Sequence, residues 1–82
     1  MADIHLEVVS PESTLVDTEV DCVFLPGSLG EFEVLRDHAP LISSLEKGAI
    51  RYRKDGKEES IAILSGFVEV LDNCVRVCAE EK

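Results

Sequence analysis

His38 is the residue whose type offers the most chemistry. It stands at the end of "LPGSLGEFEVLRDHAP", Leu25 to Pro40, a stretch holding two of the three prolines and two of the five glycines. A catalytic histidine needs an orienting carboxylate and a nucleophile or substrate proton within hydrogen-bond reach. Asp37 is adjacent, but neighbouring side chains point apart, and no serine or cysteine motif completes a triad. His38 therefore reads as a loop residue that satisfies backbone groups or packs on a partner. Glu31, Glu33 and Asp37 form a loose carboxylate group, with Glu31 and Glu33 on one side of an extended segment. A calcium loop carries more acidic and amide ligands at fixed offsets. Gly27 and Gly30 flank Ser28-Leu29, yet the lysine and helix start of a phosphate loop do not follow.

The cysteines do not form a metal or disulfide pattern either. Cys74 and Cys78 lie four apart in a strand-like segment, hence about 13 Å apart at roughly 3.3 Å per residue. A disulfide needs Cα atoms within about 7 Å. A structural zinc site uses closely paired ligands such as C-x2-C, which this sequence lacks. With Cys22 they read as reduced structural thiols. Neither a metal nor a cofactor is expected, and no catalytic residue. His5 belongs on the polar face of the first strand.

What positions these residues is a series of short strands. "IHLEVV" alternates Ile4, Leu6 and Val8 with His5 and Glu7, the period of a half-buried strand. "SPES" is turn chemistry and "TLVDT" a second strand. "EVDCVFL" is expected to put Val20, Cys22 and Phe24 on one face and Asp21, Val23 and Leu25 on the other, ending at Pro26-Gly27. "LISSLEKGAIRYRK" splits into two strands near Lys47-Gly48. "KDGK", Lys54 to Lys57, is a hairpin turn, because Asp-Gly suits positive φ. "ESIAILS" follows, Gly66 marks a bend or bulge, and "FVEVL" runs to a turn at Asp72-Asn73. "CVRVCA" turns Val75, Val77 and Ala79 to one face. About eight to ten short strands at this spacing predict an all-β fold, an antiparallel β-sandwich or flattened barrel, as one domain over residues 1–82.

Size and charge limit the function further. A chain of 82 residues buries only about 60–65% of its unfolded surface, so its own core is marginal. Seventeen acids against eight bases give a net charge of −9, which argues against nucleic acid and anionic membrane surfaces as partners. No apolar run approaches the roughly 18 residues of a membrane helix, so no direct lipid insertion is expected. The start "MADIHLEVV" lacks the basic and apolar blocks of a secretory signal, and a cytosolic location is expected. Leu29 and Phe32 are unusual in a glycine-containing loop: such side chains either tuck into the core or await a partner.

The sequence "PGSLGEFEVLRDHAPLISSLEKGAIRY", with "LEVVSPE" before it and "ILSGFVEV" and "VRVCAE" after it, resembles the epsilon subunit of F-type ATP synthase. The likeness runs from about Ile4 to Glu80. It departs from the family pattern at Glu33, where glycine is frequent, and at Arg36-Asp37, where Pro-Asn or Pro-Gly is common. Phe67 stands in place of the second glycine after Ser65.

The resemblance implies a non-catalytic rotor subunit that couples the gamma subunit to the c-ring and passes torque into the central stalk. It also implies a peripheral location on the cytoplasmic face of the cell inner membrane. Ser28, Leu29, Gly30, Glu31 and Phe32 match the family's c-ring contact. Ser10, His38, Ala39, Pro40 and Leu41 match positions at or near the gamma contact. Longer members add two C-terminal helices that inhibit ATP hydrolysis. This chain ends at Lys82, where that hairpin begins, so the expectation is a coupling subunit without hairpin-type inhibition. The rival reading is a free-standing β-sandwich module that binds a small ligand at the same loop. The sparse aromatic content, three Phe, one Tyr and no Trp, counts against it.

Overall fold

Alternation in the first strand, β1 (Ile4–Val9), sends Ile4, Leu6 and Val8 into the interior and leaves His5 and Glu7 half-buried outside. In the computed structural model, which describes residues 3–81, seven further strands follow: β2 (Thr14–Val20), β3 (Cys22–Gly27), β4 (Gly30–Val34), β5 (Leu41–Leu45), β6 (Gly48–Lys54), β7 (Lys57–Leu71) and β8 (Cys74–Glu81). No helix interrupts them among the described residues.

The strands hydrogen-bond in the order β2-β1-β8-β7-β5-β3-β4, and β6 pairs with both β3 and β7. Because β7, β5, β3 and β6 form a closed circuit of pairings, the sheet folds over on itself as a flattened barrel. Strand β7 belongs to both layers. Its first half pairs β6 from Lys57 to Ile63, and its second half pairs β5 and β8. A register shift between Ile63 and Ser65 leaves Leu64 as the extra residue where the strand bends.

The two layers close on one hydrophobic cluster. Leu6, Val8, Val75 and Val77 come from the β1–β8 side, and Leu25, Ile50 and Ile63 from the other. All seven are essentially inaccessible to water. No polar or charged residue is buried among those described, so each layer turns its polar residues outward.

The expected architecture is present, with four differences. One pairing, β1 with β8, is parallel (His5↔Cys74 to Val9↔Cys78), so the sheet is mixed rather than purely antiparallel. Strand β7 has fifteen residues, not the short span expected. Its bulge falls at Leu64; Gly66 lies within the β5 and β8 pairing. At β3, Val23 and Leu25 share one face, the core side, and Phe24 lies on the other, as expected, but Val20 is buried in the same core cluster as Val23 and Leu25 instead of sharing the face of Phe24. The bend at Asp21, whose amide donates to the Arg53 carbonyl, breaks the alternation carried over from Val20.

The predicted turns form where their residues allow. Asp55 and Gly56 have φ of 53° and 77°, and Asp72 and Asn73 have 50° and 60°. Paired positive φ values are those of type I′ hairpin turns.

Candidate docking surfaces

Strands β3 and β4 meet at Gly27↔Gly30, which makes Ser28-Leu29 a two-residue hairpin tip rather than a longer loop. Gly30 adopts φ of +123°, a backbone that side chains resist. The tip divides the two apolar residues. Phe32, on β4, packs against the core, whereas Leu29 is fully exposed, at 105% of its reference area.

Two anchors fix this hairpin. On one side, Ser28 donates its amide to the Ser44 carbonyl at 3.2 Å, and its hydroxyl meets the Ser44 hydroxyl at 2.7 Å. On the other, Glu31 accepts a hydrogen bond from Arg51 at 3.0 Å. That hydrogen bond raises the Arg51 guanidinium above its already high ordinary pKa. Glu31 is thus engaged within the chain.

His38 follows the turn after β4. Its amide donates to the Leu35 carbonyl at 3.2 Å, and its Nδ1 lies 2.7 Å from the Ala39 carbonyl oxygen. Asp37 beside it has φ of 63°, the region that favours glycine and asparagine, and its amide donates to Asn73 Oδ1 at 2.6 Å. Ala39 and Pro40 are exposed, and Leu41 starts β5 half-buried against the core. His38, Leu41 and Ser43 line one shallow groove together with Gly27, Leu29, Glu31 and Phe32.

Ser10 lies elsewhere. Its hydroxyl accepts the amides of Glu12 and Ser13 at 3.3 and 3.2 Å, which shapes the turn between β1 and β2. It borders a second, more apolar groove with Val9, Pro11, Ser44, Phe67 and Cys78. A register row across four strands, Ser44–Phe67–Cys78–Val9, makes its floor. Sequence reasoning missed this surface. Phe67 is 65% exposed, and Ile42, one outward position along β5, is 76% exposed. The structure thus brings His38 and Leu41 beside the hairpin tip and sets Ser10 apart, with β5 joining the two grooves.

The remaining polar clusters are internal pairings. His5 Nε2 lies 2.7 Å from Asp17 and Nδ1 3.0 Å from Glu19. The two carboxylates thus address opposite sides of the ring and do not converge on a common point. Arg76 donates to Glu7 at 3.0 Å. Among the described residues, no group of three His, Cys, Asp or Glu side chains is arranged to hold a metal. Cys22, Cys74 and Cys78 are all free thiols, and burial pushes the Cys22 thiol above its usual pKa.

Comparison with known proteins decides the family. Residues 3–82 match the model of the ATP synthase delta/epsilon chain β-sandwich domain. The chain belongs to that family. Among curated relatives, the ATP synthase epsilon chain of Desulfitobacterium hafniense is 53% identical over 75 residues, spanning 92% of this chain and 57% of its own length. That of Carboxydothermus hydrogenoformans is 51% identical over 80 residues, covering 96% of this chain and 60% of the relative. The chain therefore spans less than two thirds of the curated relatives it matches.

A solved mitochondrial ATP synthase from Euglena gracilis (OSCP/F1/c-ring) contains a chain that superposes with a TM-score of 0.91 at 24% identity. The match covers 99% of this domain and 52% of that chain. A chain in the Tetrahymena thermophila mitochondrial ATP synthase central stalk and c-ring gives 0.81 at 10% identity. At such identities the likeness is one of fold. The delta/epsilon β-sandwich is thus the frame on which both grooves are built.

Proposed function

We propose that this chain is a non-catalytic central-stalk subunit of a rotary ATP synthase, joining the gamma subunit to the c-ring and transmitting torque between them. The carrying observation is the hairpin tip. A fully exposed leucine stands at the end of a stem tied down on both sides, an arrangement suited to docking. Family membership and relatives named ATP synthase epsilon chain support the reading. So does a fold shared with a chain of a structure described as central stalk and c-ring.

In this reading Ser28, Leu29, Gly30, Glu31 and Phe32 form the ring-facing end, with Leu29 inserting between polar loops. The gamma contact includes Ser10, His38, Ala39, Pro40 and Leu41 and follows β5 between the two grooves. A stiff two-layer sheet is what torque transfer demands, because it passes force without deforming. The chain is held peripherally at the membrane's cytoplasmic face by these partners; no described helix is long and apolar enough to span a bilayer.

Co-purification tests this. The tagged chain, expressed with its cognate ATP synthase, is expected to retain a gamma-type subunit and the ring. Recovery of neither overturns the reading. Added to the cognate catalytic complex, the chain is expected to leave ATP hydrolysis without strong ATP-sensitive inhibition.

A further inference from the structure

Strand β4 is an edge. Among the described residues it pairs only with β3 and leaves its other side open over the five residues Gly30–Val34. A short one-sided strand leading from a two-residue turn has little of its own to fix its angle. The Ser28–Ser44 hydrogen bonds hold one side of the turn, and the outer face of this layer supplies the constraint on the other. Arg51, on β6, lies over the Phe24 ring of β3 with its guanidinium carbon 4.5 Å from the ring centroid. From there Nη2 reaches Glu31 on β4 at 3.0 Å, and Nη1 reaches Glu58 on β7 at 3.5 Å. One guanidinium therefore spans four consecutive strands, anchored at β7 and β6, stacked on β3 and fastened to β4.

We infer that Arg51 is a positioning residue, a strut that holds the β3–β4 hairpin at the angle its leucine tip needs to dock. The inference rests on the proposed docking role of that tip. Arginine suits the place for geometric reasons. Its planar fork addresses two carboxylates at once while its face covers an aromatic ring. A lysine ammonium reaches one carboxylate at a time and stacks less well. Exposed ion pairs add little to global stability, so the strut acts on the orientation and order of the tip. Arg51 also neutralises much of the Glu31 charge at the docking end, so Glu31 presents there as a hydrogen-bond acceptor already partly compensated.

The test compares wild type, Arg51→Lys and Arg51→Met in the full chain and in the assembled ATP synthase. In the free chain, backbone order parameters from NMR relaxation are expected to fall at residues 29–33 in Arg51→Met, from about 0.85 toward 0.6. The rest of the sheet and the melting temperature should stay close to wild type. Arg51→Lys should fall between the two. In the complex, purified through a tag on another subunit, Arg51→Met is expected to lower retention of the chain by roughly three- to tenfold, with partial recovery in Arg51→Lys. An unchanged order profile at 29–33 overturns the strut, whatever the complex does. A loosened tip with wild-type retention overturns its role in docking. If even wild type is absent from the complex, the docking reading fails, and the relaxation data alone decide whether Arg51 orders the hairpin.

Discussion

Leu29 and Phe32 are three residues apart, and the sequence allowed each to tuck inward or await a partner. The structure assigns one outcome to each, because strand pairing at Gly27↔Gly30 leaves Leu29 in the turn and aims Phe32 into the sheet interior. Full burial of a leucine is worth about 1.5–3 kcal/mol. Leu29→Ala is accordingly expected to weaken retention of the chain on ring-containing complexes by about tenfold or more, with unfolding free energy unchanged within about 0.5 kcal/mol. A stability loss without a binding loss would show that Leu29 serves the fold. The thiols also divide. Cys78 is exposed on the β8 surface, whereas Cys22 is buried with its pKa raised by desolvation and by Glu33. At neutral pH a maleimide should modify Cys78 well before Cys22, read as order of labelling by peptide mass spectrometry. The Arg51–Glu31 contact was not legible in advance, since its partners stand 20 residues apart on strands whose neighbourhood only folding defines.

Elements with a local cause were legible, and those with a distant cause were not. The Asp55-Gly56 turn follows from two residues that accept positive φ, and the hairpin of β6 and β7 forms around it. The parallel pairing of β1 with β8 has no local signature, because it joins residues 5–9 to residues 74–78. The grouping of Val23 with Leu25, opposite Phe24, was legible in β3, but the placing of Val20 was not, because one bend, at Asp21, shifts the alternation by a residue, and a shift of one exchanges the two faces of a strand. Gly66 is expected from the sequence at a bend or bulge, yet its role is close approach. A Cβ there would stand 2.6 Å from the Cys78 carbonyl oxygen, inside the β7–β8 ladder. Both atoms belong to paired backbones, so neither can move aside cheaply. Gly66→Ala is expected to cost about 1–3 kcal/mol in chemical denaturation. A variant as stable as wild type would mean that β7 and β8 separate locally without loss.

At the scale of the whole molecule, charge and topology oppose each other. Both free edges carry acids, Glu31 and Glu33 on β4 and Asp17 and Glu19 on β2, which discourages edge-to-edge association between copies. The same acids contribute to a net charge of −9 on a body of 30 × 22 × 19 Å. At about 0.01 M salt the screening length is roughly 30 Å, so acids repel one another across the molecule; at about 0.1 M it is roughly 10 Å, and only neighbours interact. The ion pairs that could suffer from screening, such as Arg51–Glu31 and Arg76–Glu7, are in contact at 3.0 Å and, being exposed, contribute little. Repulsion is therefore what salt removes first. The melting temperature is expected to rise by several degrees between those two concentrations, since about 1 kcal/mol corresponds to roughly 4–8 °C in a domain of this size. A melting temperature that falls with salt would mean that the paired charges, and not the excess acids, govern the stability of this sheet.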